Sequence, residues 1–232
     1  MTEASDGRQD GLVFLLDVDN TLLDHDRLKA DLADRLQDML GPDRAEAFWR
    51  VYEDVRKASD YVDYPTTVKE WIRAFNDPAT GEQLQALIDG IDFQSYVYPH
   101  VFETLGHLRD LGKAVILSDG DQVFQPLKIR NSGIEAAVDG VLIFVHKELE
   151  LSTVFETFPA GHYVMIDDKP RILAALEREC PTTFTTVFVL QGKYAVPDQF
   201  KPGPDIVVER IGDVRTLTRD QFLAGAGQPA AG

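Results

Sequence analysis

Cysteine is nearly absent from this chain: its single copy, Cys180, excludes an intrachain disulfide and any cysteine-based metal centre. A small buried hydrophobe is the role expected of it. Basic residues are also scarce, 23 Lys and Arg against 39 Asp and Glu, and the formal charge of −16 opposes broad association with nucleic acid or an anionic membrane. An anionic ligand therefore has to be handled locally. No apolar run approaches the roughly 18 residues of a membrane helix, and the opening "MTEASDGRQD" has neither the basic nor the apolar region of a signal peptide. The expectation is a cytoplasmic protein with a loose N-terminus and no nucleic-acid or membrane partner. The five histidines (His25, His100, His107, His146 and His162) are scattered, without H-x-x-x-H spacing. There is no internal repeat. The glycines of the tail "AGAGQPAAG" (224–232) make no dinucleotide fingerprint, since no strand precedes them, and that tail is expected to be disordered.

Present instead are 232 residues, 44% of them apolar, enough for one large domain or a core with a smaller insert. Apolar runs recur as "LVFLL" (12–16), "AVILS" (114–118), "VLIFV" (141–145), "YVMI" (163–166) and "TVFVL" (186–190). Short continuous runs alternating with helices predict βαβ units and a parallel sheet covered on both faces. "PHVFETLGHLRDLG" (99–112) reads as a helix with proline at N1 and glycine at C′, and "KPRILAALEREC" (169–180) as another.

Residues 24–96 have a different texture. "RLKADLADRLQDML", "DRAEAFWRVYEDVRKA", "TTVKEWIRAF" and "GEQLQALIDG" are amphipathic helix patterns with no strand among them. This predicts a helical insert after the first strand, with core at 1–23 and 97–232. Trp49 and Trp71 lie in the insert with Phe48, Tyr52 and Phe75, at the spacing of core residues. Arg50, Arg56, Lys57 and Arg73 are expected mostly on a solvated face, and His25 at a solvated hinge.

Parallel α/β sheets bind ligands outside the carboxyl ends of their strands. There the first run delivers Asp17, Asp19 and Thr21; the second Ser118, Asp119 and Gly120; the third Lys147; the fourth Asp167 and Asp168. In extended chain Asp17 and Asp19 share a face and repel, so positive charge is expected between them. Taken singly, the aspartates could cap turns or helices and Lys147 could be a solvated surface lysine. Four charged strand ends together point to a site.

These residues resemble the motifs of the haloacid dehalogenase superfamily, in its phosphatase branch with a helical cap after the first strand. The resemblance covers about residues 12–215: "DVDNT" is similar to the first motif, the serine of "ILSDG" to the second, Lys147 of "VHKE" to the third, and "IDDKP" to the fourth. It implies an α/β fold with a Rossmann-like parallel sheet core in three αβα layers, an inserted cap, and Mg²⁺ as cofactor. The departures are Asn20 where many relatives have glycine, which a turn tolerates, an adjacent Asp167–Asp168 pair, and glutamate after Lys147. Lys128 in "QPLKIRNSG" is a rival for the active-site lysine, and position favours Lys147.

A phosphate monoester is a dianion, and several carboxylates would repel it unless a hard cation neutralised them. The expected ligands are the side chains of Asp17 and Asp168 and the carbonyl of Asp19, with Asp167 behind them. Asp17 would attack phosphorus. Asp19 would protonate the leaving alkoxide and later deprotonate water. Thr21, Ser118, Asp119 and Lys147 would hold the phosphoryl group. The activity expected is Mg²⁺-dependent hydrolysis of a small phosphorylated metabolite. A 2-haloacid dehalogenase, whose chemistry needs neither metal nor an acid at Asp19, a phosphomutase, and a non-catalytic binding module are the alternatives.

Overall fold

The computed structural model describes residues 11–59, 61, 63–180, 183–196 and 203–224. The N-terminus expected to be loose, and all of the expected disordered tail but Ala224, lie outside them. At the centre is β1 (Leu12–Leu16), whose five side chains are all buried. Phe14 and Leu16 join one apolar cluster while Val13 and Leu15 join the other, because successive side chains leave a strand on opposite faces. That double burial is why the run is continuously apolar. Around it lie β2 (Lys113–Asp119), β3 (Gly140–Phe144), β4 (His162–Asp167), β5 (Phe184–Val189) and β6 (Ile206–Val208), in the order β3-β2-β1-β4-β5-β6. Every pairing is parallel. The architecture is thus the expected Rossmann-like α/β sheet, and the order reverses between β1 and β4. β6 was not anticipated, being three residues long with Val207 exposed.

The first four of the helices between β1 and β2 are α1 (His25–Leu40), α2 (Pro42–Ser59), α3 (Tyr64–Phe75) and α4 (Pro78–Asp89). Three begin on an aspartate whose side chain accepts a backbone N–H three residues on: Asp24 from Arg27, Asp63 from Thr66 and Asp77 from Thr80. Their apolar stripes, including fully buried Phe48, Tyr64 and Trp71, are continuous with the cluster on one face of the sheet. The chain leaves the sheet and returns to it at one place, where Leu23 bridges Val97, Asp24 N donates to Tyr96 O (2.8 Å) and Tyr98 N to Leu22 O (2.9 Å).

The remaining helices are α5 (Val101–Leu111), α6 (Phe124–Asn131), α7 (Leu151–Thr157), α8 (Pro170–Glu179) and α9 (Arg219–Ala224). α8 starts on its proline as expected, and Cys180, half-buried at its end, packs against the second apolar cluster. No helix among the described residues is long and apolar enough to cross a membrane.

α5 corrects both of its expected ends. Pro99 is not N1, because His100 takes the cap in the left-handed region (φ 67°) and the helix starts at Val101. Gly112 is extended (φ −177°) rather than left-handed. Its glycine is required by proximity: a Cβ there would lie 2.2 Å from the carbonyl oxygen of Leu12. Gly112→Ala is therefore expected to lower unfolding stability by about 1–3 kcal/mol through forced separation of α5 from β1, measured by urea denaturation.

Candidate active site

The residues at the carboxyl ends of β1, β2 and β4 converge, as does the segment after β3. Leu16 pairs with Ile166, so Asp17 and Asp167 leave adjacent strands side by side. Asp17, Asp167 and Asp168 are all buried, and each offers an oxygen within 4.8 Å of the others. Lys147, fully buried, closes this group: its Nζ lies 2.5 Å from Asp17 Oδ1 and 2.7 Å from Asp167 Oδ2. Burial alone would lower the lysine pKa, but Asp167 and Asp17 outweigh it and raise it. Lys147 reaches this position because its backbone N–H is held by Asp119 Oδ1 (2.9 Å) at the end of β2.

The carboxylates of Asp17 and Asp19 meet different side-chain cations. After Asp17 the chain turns sharply, with Val18 O accepting from the amides of Thr21, Leu22 and Leu23. Asn20 sits in this turn at φ 63°, in the left-handed region. Asp19 therefore meets cations of its own. Lys128 Nζ is 2.5 and 2.7 Å from its two oxygens, and His25 Nδ1 is 3.4 Å away. Burial would raise the Asp19 pKa, yet Lys128 and His25 hold it well below the usual carboxylate range. The rivalry between Lys147 and Lys128 thus ends with both in the site, one on each carboxylate. His25 is not solvated, being 12% exposed against Asp19. Lys147 and Lys128 are both buried, so neither is a surface lysine.

Other groups complete the rim. Ser118 Oγ accepts from Gln125 Nε2 at 2.9 Å, while Thr21 Oγ1 is buried without a partner. Lys169 Nζ stands 3.9 Å from both Asp17 Oδ2 and Asp119 Oδ2, and Arg171 Nη2 3.5 Å from Asp119 Oδ2. Lys128, Lys169, Gln125 and His25 are the site residues that sequence reasoning missed or set aside. Only Lys169, next to the acidic pair, stood where a strand-end rule could have found it.

The two adjacent aspartates differ sharply. Asp167 Oδ1 accepts the amide of Lys169 (2.8 Å) and its other oxygen faces Lys147, so it closes the turn into α8. Neither oxygen of Asp168 has a hydrogen-bond partner, and neither does Asp17 Oδ2. Burial, reinforced by the charges of Asp167 and Asp17, pushes Asp168 up to about 9. Buried, orphaned carboxylate oxygens in a group of three are the donor set of a hard divalent cation, so these residues fit Mg²⁺.

Because the folded-state pKa of Asp168 lies above its ordinary value, the proton-free unfolded chain gains on the fold as pH rises from about 4 towards 9. Asp168→Asn in EDTA is expected to melt higher than wild type at pH 8, with the gap closing near pH 4. Mg²⁺ is expected to stabilise wild type at pH 8 and to leave Asp168→Asn unmoved. Thermal melts across pH check both, and equal response of the two proteins to Mg²⁺ would exclude Asp168 as a ligand.

No family model and no curated protein matches the chain. Solved structures do match. A haloacid dehalogenase-like hydrolase of Burkholderia xenovorans is 41% identical, covering 92% of this chain and 99% of that one, with a TM-score of 0.83. The L-2-haloacid dehalogenase of Xanthobacter autotrophicus is 18% identical over 89% of this chain and 98% of that one, with a TM-score of 0.59. A Bacillus subtilis HAD-hydrolase bound to magnesium is 15% identical over 90% and 98%, also at 0.59. At these last two identities the likeness is one of fold alone.

Proposed function

Because the chain belongs to the haloacid dehalogenase-like hydrolases, we propose that it is a Mg²⁺-dependent phosphohydrolase acting on a small phosphorylated metabolite through an aspartyl-phosphate on Asp17. The observation that carries this reading is the pairing of a buried carboxylate trio with a fourth carboxylate, Asp19, facing the cleft two residues after Asp17. Displacement of halide at carbon requires a nucleophile but neither a cation nor an acid at that place. Two of the three neighbours described above are named as dehalogenase or dehalogenase-like, and the trio with Asp19 is what supports phosphoester hydrolysis over halide displacement.

Side-chain oxygens of Asp17 and Asp168 and the carbonyl of Asp19 would hold Mg²⁺. The orphaned oxygens of Asp168 support it over Asp167 as the direct ligand. When bound, the cation offsets the carboxylates against the dianionic ester and polarises the phosphoryl group. Lys147 pins Asp17 by Oδ1, which leaves Oδ2 free of hydrogen bonds to attack phosphorus. Thr21 Oγ1, an unpartnered buried hydroxyl, donates to a phosphoryl oxygen, and Ser118, oriented by Gln125, stands beside it. From Asp119 it is the backbone that can meet the phosphoryl group, since an ionised carboxylate only accepts. Its side chain instead aims the amide of Lys147 and the cations of Lys169 and Arg171.

Asp19 carries protons. Lys128 and His25 keep it ionised, the form that takes a proton from the water attacking the aspartyl-phosphate. Donation to a leaving alkoxide needs the protonated form, whereas an aryl oxide leaves without help. Helices α1 and α2 line this cleft with His25, Lys29, Tyr52 and Arg56, where they would exclude water and read the leaving group.

Asp17→Asn is expected to abolish phosphate release from an aryl phosphate while its circular dichroism stays that of wild type, and EDTA is expected to silence wild type. Turnover surviving either change would sink the aspartyl-phosphate reading. Asp19→Asn is expected to slow alkyl phosphates by about 10²–10⁴-fold. The release of aryl oxide in a single-turnover burst should suffer much less, and equal losses for both leaving groups would remove Asp19 from the acid step.

A further inference from the structure

The cleft over the carboxylates has a volume of about 250 Å³ and runs outward between α1, α2 and the loop after β5. Five cationic side chains and three carboxylates line it, in a chain whose net charge is −16. The inner cations are accounted for, since Lys169 and Arg171 face Asp17 and Asp119. The outer ones are matched only in part. Lys29 from α1, Arg56 from α2 and Lys193 from the loop after β5 all line the mouth, beside Tyr52 and Tyr194.

Two carboxylates serve these three cations. Glu53 is taken by Arg56, at 2.8 and 3.0 Å from Nη2 and Nε, and Asp26 stands 3.7 Å from Lys193 Nζ. Lys29 is left with a 3.8 Å contact to the already engaged Glu53, its ammonium lying over the rings of Trp49 and Tyr52 at 5.1 and 4.6 Å. Burial lowers its pKa and the charges of Lys193 and Arg56 add to this, while Glu53 and Asp26 act the other way. Holding three like charges at one mouth is unfavourable in the empty protein and becomes favourable when an anion arrives. A phosphoester engaged at Asp17 does not supply it there, because its own charge is met by the inner groups.

We propose that Lys29, Arg56 and Lys193 bind a second anionic group, a carboxylate or a phosphate, carried by the substrate at the end remote from the scissile phosphoester. The substrate class is therefore a small phosphoester with anions at both ends. The inference rests on the phosphohydrolase reading only for what occupies the inner end. Buried Tyr52 and half-exposed Tyr194 line the same mouth.

The test is calorimetric titration of the full chain in Mg²⁺ with non-hydrolysable alkylphosphonates of increasing length. Each is compared with its counterparts ending in a carboxylate and in a second phosphonate. At least one doubly anionic series is expected to bind about tenfold or more tightly than the neutral-ended one. Lys29→Gln and, independently, Lys193→Gln on the exposed loop are expected to shrink that ratio to about twofold. Whether the carboxylate or the phosphonate series gains identifies the remote group. Equal affinity for charged and neutral ends in wild type, or a ratio that survives in Lys29→Gln, Arg56→Gln and Lys193→Gln alike, overturns the proposal. Turnover of the matching phosphate esters, followed in parallel, separates the two readings: a charge preference without hydrolysis supports the outer site and refutes the phosphohydrolase.

Discussion

A single buried ammonium holds this site together. Lys147 has no exposure to solvent and stands between Asp17 and Asp167, so two carboxylates that would otherwise repel each other are carried by one cation. Removing one partner from such an arrangement leaves an uncompensated buried charge, typically a loss of about 3–5 kcal/mol. The arrangement in turn demands the sheet. β1 and β4 must be neighbours in one register for Asp17 to lie beside Asp167. Lys147 comes from beyond β3, two strands away, and Asp119 at the end of β2 guides it across. What Lys147 does not neutralise is Asp168, whose orphaned oxygens are the electrostatic vacancy that a divalent cation matches.

The first motif shows how a sharp turn divides labour between two like residues. Were the strand to continue past Asp17, both aspartates would share one environment. The turn at Val18 and Asn20 sends Asp19 to Lys128 on α6 and His25 on α1, while Asp17 stays with Lys147. Identical side chains two positions apart thus receive separate counterions, the condition for one to act as nucleophile and the other to move protons.

Much of this was legible in the sequence because double burial writes itself as a continuous apolar run. Strands β1, β2, β4 and β5 were visible for that reason, β3 by its apolar run although its side chains are only half-buried, and the four inserted helices by the helical periodicity of α1 to α4. β6 was invisible because three residues on a half-exposed edge carry no pattern. The start of α5 was misplaced because His100, not the proline, adopts the left-handed cap. In the site, the strand-end rule picked out the aspartates, Ser118 and Lys147. It passed over Lys128, since a lysine within a helix reads as solvated and only the packing of α6 brings it to Asp19, 109 positions away in the chain. The sequence reading set Asp168 ahead of Asp167, but the physical cause was hidden, because it lies in the contacts of Asp167 with the amide of Lys169 and the ammonium of Lys147.

The short ladder formed by Leu22 to Asp24 and Tyr96 to Tyr98 makes the departure and return of the chain adjacent. From the sheet's side, everything between them is the tip of a hairpin. Closing a loop grows costlier only slowly with its length, so the sheet tolerates a wide range of inserts at this point. What a replacement must retain is an apolar surface for Phe124, which now rests against Tyr64 and Phe93. The ladder is thus a natural splice point, across which helices of new composition could be exchanged while Asp17, Lys147 and the neighbouring carboxylates keep their places.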